Sequence, residues 1–394
     1  MLILCLIYFD LWQEVQADEA TIMQQPNLYS HFANGMGDPK YMPVTDFSIL
    51  SKILIDALKS YNDFNSIMNL VLFEDAINYT LRISRIMESP RGYALCVGVG
   101  GSGKQSLARL AAFLSSLDVF QVALRKGYGI TELKNDLSVL YLKAGQKNIG
   151  TVFLMTDAQV AEETFLVLIN DMLASGEIYE ILPDDEVENV ISAMRTEVKT
   201  VGLEDTRENC WKFFIDRVRK TLKVVLCFSS VGSTLRQRSR KFPALVNCTQ
   251  IIWFHEWPEE ALMSVSQRFV REIEAVPAHL HDAVASFMAY VHASVNEMSK
   301  TYLANEKRYN YTTPKSFLEQ IGLYGDLVTT KKVEALAKAD RLESGLTKLE
   351  GCAKQVEELK KVLAVQEKVL KEKNDKADQL IKGKTFILFC TCAE

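Results

Sequence analysis

An apolar run, Tyr93 to Val99, leads into a stretch of nine residues: Gly98, Val99, Gly100, Gly101, Ser102, Gly103, Lys104, Gln105 and Ser106. A helix-compatible run, Ser106 to Phe113, follows it. Four glycines in six residues exceed average usage several-fold, since Gly is about 7% of residues in ordinary chains. Strand, glycine loop, lysine and helix in that order are the context in which G-x-x-x-x-G-K-[ST] is a phosphate loop and not a chance string. The glycines let backbone N–H groups turn inward on phosphate oxygens. The helix that follows aims its positive dipole end at the same anion, and Lys104 adds a point charge. The stretch therefore predicts a site for ATP or ADP. The alternative is a glycine-rich turn with an incidental lysine.

The match fails at its last position. Gln105 stands where Ser or Thr would serve Mg²⁺. Ser106 lies one residue on and about 100° round the helix axis. Nucleotide binding is expected here, and turnover is not.

From Gly92 onward, strand and helix patterns alternate. Strands are expected at Tyr93–Val99, Val119–Leu124, Thr151–Thr156, Val224–Ser229 and Ile251–Phe254, with helices such as Leu133–Ala144, Glu162–Ala174 and Asn209–Leu222 between them. That alternation predicts an α/β fold with a parallel sheet covered by helices on both faces. Upstream, helices are expected at 46–61 and 70–88, with turns at Gly35–Pro39 and Pro43. Residues 257–303 read as helices without strands, including an apolar stripe through Leu280, Val284, Phe287, Met288 and Val291.

Asp157 ends the strand pattern Thr151–Thr156. It is the candidate Mg²⁺-associated acid, and a helix N-cap is its other reading. Ala158 and Gln159 follow, and the next glutamate is Glu162, so a carboxylate able to activate water is missing from its expected place. Ser229 or Ser230, at the end of the next strand, is a weak candidate for the γ-phosphate. Arg236, Arg238, Arg240 and Lys241 form a basic cluster just beyond. It reads as a solvated helix face or as the source of an arginine finger for a neighbouring site.

Composition narrows the class. A net charge of −5 gives no field for nucleic acid. Eight cysteines, with no C-x-x-C pair, fit a reducing compartment better than a disulfide framework. The five histidines show no zinc spacing. The apolar start, Met1–Phe9, is too short to span a bilayer and lacks a basic region ahead of it. It is expected to be the edge of a packed helix from a larger chain and not a leader, although Val15–Ala17 would serve as a cleavage site. No membrane partner is expected.

The last quarter is of another kind. Val328, Ala335, Leu342, Leu349, Val356, Leu363, Leu370 and Ala377 recur every seven residues, and Lys331–Lys382 carries 13 Lys/Arg and 10 Asp/Glu. A long charged helix with an apolar seam is a coiled-coil strand. Its companion seam is poor. Leu346 and Ala353 fit it, whereas Lys360, Glu367 and Asn374 do not. A solitary solvated helix is the other reading. From Gly383 the period and the charge both stop.

Taken together, GVGGSGKQSLARLAAF, FLMTDAQVAEE, FLVLINDMLASGEI, WFHEWPEEAL and NYTTPKSFLEQI, followed by the charged heptads, resemble axonemal dynein heavy chains over about residues 26–382. The resemblance is to their fourth AAA+ module and the first strand of the microtubule-binding stalk, and residues 383–394 depart from it. It implies a large α/β subdomain at 70–256 preceded by a segment 1–69. A small helical subdomain would follow at 257–325, then a stalk strand at 326–382 and an atypical tail at 383–394. It also implies ATP or ADP with Mg²⁺, Asp157 as the metal-associated acid and Lys315 as a second sensor. The implied partners are neighbouring AAA+ modules, the second stalk strand and other dynein chains. Microtubules would be met only through a tip beyond this stretch, in cilia or flagella. A regulatory module that holds nucleotide with little hydrolysis is expected. A free-standing P-loop ATPase with an assembly helix, or an inert truncated product, are the other readings.

Overall fold

The computed structural model describes residues 28–391 except 34, 36–39, 45 and 69. Met1–Phe9, Val15–Ala17 and most of the Gly35–Pro39 turn lie outside the described residues. Two units are distinguished. One holds the sheet and the helices up to Ile321; the other comprises Ile273–Pro277 and the chain from Gly322.

In the first unit a two-residue antiparallel pair, β1 (Tyr29–Ser30) and β2 (Met42–Pro43), precedes helices α1 (Phe47–Phe64) and α2 (Glu74–Glu88). The sheet follows, with β3 (Tyr93–Val97), β4 (Asp118–Gln121), β5 (Thr151–Thr156), β6 (Leu222–Phe228) and β7 (Gln250–Trp253). All its pairings are parallel, in the order β4-β5-β6-β3-β7. Every residue of β3, β5 and β6 is buried, as expected of unbroken apolar runs covered on both faces.

Alternation along the strands divides the core. Leu95, Val97, Phe153, Val224 and Leu226 face one layer. Ala94, Cys96, Val152, Leu154 and Val225 face the other, against α2 and α3 (Lys104–Leu114). On the first face lie α4 (Ile130–Tyr141), α5 (Thr164–Ala174), α6 (Asp184–Thr200) and α7 (Arg207–Thr221). The helix α6, whose Val190, Ile191, Met194 and Val198 are buried, was not anticipated. A π-turn, Leu142–Gln146, extends α4. Gly145 within it lies so close to the Phe214 ring of α7 that a side chain there would collide with it.

The segment before the sheet packs against α2 and α3. Phe32, Leu50, Leu54 and Leu58 share a core with Ile77 and Leu81 of α2 and with Leu110 and Leu114 of α3. Asp46 caps α1, its carboxylate accepting the Ser48 N–H at 2.8 Å. After β6 come α8 (Thr234–Lys241) and α9 (Ala244–Asn247), and after β7 come α10 (Glu259–Arg271) and α11 (His281–Glu306).

One helix, α12, runs Pro314–Thr391. In the second unit Gly325 abuts the Ile273 side chain. The Lys332 ammonium donates to the Glu274 carbonyl at 3.3 Å. Leu342, Leu349 and Leu363 of the heptad seam are all more than half exposed. The helix does not stop at Lys382, where the heptads end. A glycine costs about 1 kcal/mol, and adding residues to an existing helix needs no new nucleus. With no proline in 383–391, nothing breaks it. Among the described residues no helix is long and apolar enough to cross a membrane.

Candidate functional site

Strand register assembles the site at the carboxyl end of the sheet. Val97 pairs with Phe228, and Thr156 with Cys227. The residues after these strands, Gly98, Ser229 and Asp157, are therefore neighbours. The Gly98 N–H donates to the Phe228 carbonyl at 3.2 Å, and the Phe254 N–H to the Val97 carbonyl at 2.7 Å.

The loop from Gly98 to Gly103 then turns into α3. Gly101 and Gly103 have φ of 78° and 85°, the left-handed region that only glycine enters freely. Gly98 is crowded for another reason. A Cβ there would lie 2.7 Å from that of Phe254. Lys104 opens the helix, and its side chain curls back over the loop. Its ammonium donates to the carbonyls of Gly98 (2.8 Å) and Val99 (2.7 Å) and to the Ser102 hydroxyl (3.1 Å). Burial pushes the Lys104 pKa down, opposed by Cys227, Cys96 and Asp157 nearby.

Beside the loop lies a cavity of about 470 Å³ that reaches Gly100–Leu107, Asp157, Ala158 and Ser229. Its far wall is apolar, with Leu70 and Phe73 on one side and Phe254, Trp257 and Phe269 on the other. Tyr79 stacks on Phe254 at 4.3 Å, and Phe73 meets Trp257 edge-on at 5.4 Å. The Arg268 guanidinium donates to the Leu70 carbonyl at 2.6 Å and pins that edge. An apolar slot next to a glycine loop suits a flat base joined to phosphates. This wall escaped the sequence reading because its residues come from segments nearly two hundred positions apart.

Asp157 sits where the sequence placed it, one residue past β5, but it has partners the sequence reading did not give it. One carboxylate oxygen accepts the Ser229 N–H. The other accepts Nη1 of Arg238 at 2.6 Å. Arg238 is 9% exposed and lies over the Phe228 ring, 5.4 Å from its centre. Of the basic cluster, then, one member turns inward onto its own module, while Arg236, Arg240 and Lys241 are exposed. The signal was present in helical spacing. Arg238 falls three residues after Leu235 and four before Phe242, both of which pack on the core.

The other candidates are dispersed. The Gln105 carbonyl accepts from Gln121, whose own carbonyl binds Arg109. Ser106 lines the cavity. Ser230 is exposed. Lys315, at the start of α12, touches Gly101 with its backbone and Cβ. Its ammonium points elsewhere and pairs with Glu319 at 3.6 Å. Gln159, two residues past Asp157, accepts the Thr156 N–H at 2.9 Å and bridges to the Val122 carbonyl.

The residues present fit a nucleotide, with inward-turning glycines, a buried ammonium and an apolar slot. They do not fit a protein-held Mg²⁺ as arranged. An amide replaces the hydroxyl at 105, and the one carboxylate, Asp157, already has a cation against it. Among the described residues no cluster of His, Cys, Asp or Glu suits a metal ion.

A family model described as "P-loop containing dynein motor region D4" matches residues 68–327. The chain belongs to the dynein motor family. A second model, "Microtubule-binding stalk of dynein motor", matches 340–386. The dynein match thus reaches four residues past Lys382. The chain is 65% identical over 365 residues to a ciliary dynein beta chain of Heliocidaris crassispina, covering 93% of this chain and 8% of that one. It is 63% identical over 361 residues to dynein axonemal heavy chain 17 of Homo sapiens, covering 92% and 8%. Against the flagellar outer arm dynein beta chain of Chlamydomonas reinhardtii the identity is 45% over 364 residues, covering 91% and 8%. The chain spans about 8% of the length of these dynein relatives.

Proposed function

We propose that this dynein D4 module holds ATP or ADP between the Gly98–Ser106 loop and the apolar slot, with little hydrolysis. The observation that carries the reading is the loop itself. Two left-handed glycines and a buried lysine lie at the carboxyl end of a parallel strand and open on a cavity with aromatic walls. On phosphate binding, Lys104 would exchange two neutral loop carbonyls for anionic phosphate oxygens, gaining an ion pair. The Gly100–Gly103 amides and the α3 dipole would share the remaining charge. Turnover is slow in this reading because Ala158 provides no base for water. Mg²⁺ brought with ATP is bound chiefly by phosphate oxygens and water. Lys315 lies at the loop through its backbone, and a sensor role requires its ammonium to leave Glu319.

Within a heavy chain of a ciliary or flagellar axoneme, such a module would work beside other AAA+ modules. Residues 326–382 would form one stalk strand, to be matched by a second, with microtubules reached through the stalk's tip. Titration calorimetry with ADP and ATP tests the site. Lys104→Ala should weaken both by tenfold or more, about 1.4 kcal/mol. Equal affinity in the two proteins rejects it.

A further inference from the structure

We propose that Arg238 takes, on Asp157, the place a divalent cation would take, so that this site holds nucleotide with little dependence on Mg²⁺. The proposal rests on the nucleotide reading above and goes beyond it by assigning a role to a residue outside the loop.

Three observations carry it. First, the guanidinium of Arg238 lies 2.6 Å from Asp157, and the Ser229 N–H holds the other carboxylate oxygen. The carboxylate is thus neutralised and fixed from both sides. Second, Arg238 is not a surface arm that swings away. It is 9% exposed, packs over Phe228 and has its Nε buried without a hydrogen-bond partner. An arginine with one orphaned donor is held there by its ion pair, since an unpaired buried charge costs far more than a paired one. Third, the position where a hydroxyl would serve the metal carries Gln105, an amide whose side-chain oxygen accepts from Gln121 at 3.5 Å. A dication arriving between Asp157 and the phosphates would meet a fixed positive charge within a few ångströms. In a partly buried site that repulsion is weakly screened. Arg238 is a positioning residue: it acts through Asp157.

The test is the affinity of the 394-residue chain for ADP by titration calorimetry, in excess Mg²⁺ and in excess EDTA, with folding checked by circular dichroism. In wild type the two affinities should differ by less than about threefold. Arg238→Gln frees the carboxylate, and its affinity should become at least about tenfold stronger with Mg²⁺ than without. Arg238→Lys keeps the charge and should behave as wild type. A wild-type ratio above about threefold overturns the proposal, and so does an Arg238→Gln ratio equal to that of wild type. If Arg238→Gln does not fold, the wild-type ratio and its retention in Arg238→Lys decide. If wild type binds ADP in neither buffer, the nucleotide reading itself fails and this proposal falls with it. Binding that ignores Mg²⁺ in all three proteins leaves the nucleotide reading standing and removes Arg238 from it.

Discussion

Lys104 combines two demands. Its ammonium is buried against the loop it would have to leave for phosphate, and burial depresses its pKa below 10.5. A depressed pKa in the folded state gives stability that is complete above the unfolded value and is lost as pH falls through the folded value. At neutral pH, therefore, the charged lysine weighs against folding. In urea unfolding of wild type and Lys104→Met, wild type should gain on the variant as pH rises from 8 toward 10.5. A constant difference over that range contradicts the reading. Gly100 and Gly101 give a second contrast. Gly101 has φ of 78° and abuts Lys315, whereas a Cβ at Gly100 meets nothing within 4 Å. Gly101→Ala should cost at least about 1–2 kcal/mol from its backbone alone, and Gly100→Ala less than about 1 kcal/mol either way. Similar melting temperatures for the two variants would count against this geometry. At this scale the loop was legible because its chemistry is local: glycine density, a lysine and the missing hydroxyl can all be read in one window. Arg238 left only the faint signal of its spacing from Leu235 and Phe242, since an arginine among four basic residues looks solvated until the fold shows which way its helix turns.

At the scale of elements, the strands were read to within a few residues because fully buried parallel strands are unbroken apolar runs. Thr151–Thr156 was read with the same limits that the structure gives it. Helix ends drifted more. The expected Leu133–Ala144 is an α-helix that yields to a π-turn at Leu142, where Gly145 lets the Phe214 ring approach. That contact is tertiary and leaves no periodic trace. The long helix shows the opposite case. Its heptads were plain, and its continuation past Gly383 was missed because a composition change was read as a structural break. Gly345 and Gly351 lie inside it with open space at their Cβ positions. Gly351→Ala should stabilise the helix by about 1 kcal/mol, seen as a higher helix-melting temperature by circular dichroism at 222 nm. No change would show that the helix around residue 351 is held by contacts and not by its own propensity.

For the whole molecule, turnover is the property that most depends on what several elements bring together. The sheet's register delivers Asp157 and Ser229 to the loop, but Asp157 is bound to Arg238 and the next residue is Ala158. Glu163, just ahead of α5, pairs with Lys241 at 2.5 Å and is not among the cavity residues. Among the described residues no carboxylate other than Asp157 lines the cavity, and general-base help is worth about 10²–10⁴ in rate. The 394-residue chain should accordingly release phosphate from ATP at well under about 1 s⁻¹, the low end of ordinary enzyme turnover. Adding the carboxylate with Ala158→Glu should not by itself raise the rate to that level, because Arg238 still neutralises Asp157 and Gln105 still replaces the hydroxyl. The check is a coupled phosphate assay on wild type, Ala158→Glu and the Lys104→Ala background control. Release above about 1 s⁻¹ by wild type, abolished in Lys104→Ala, would mean that the base comes from a residue outside those assigned and that this module is an active ATPase.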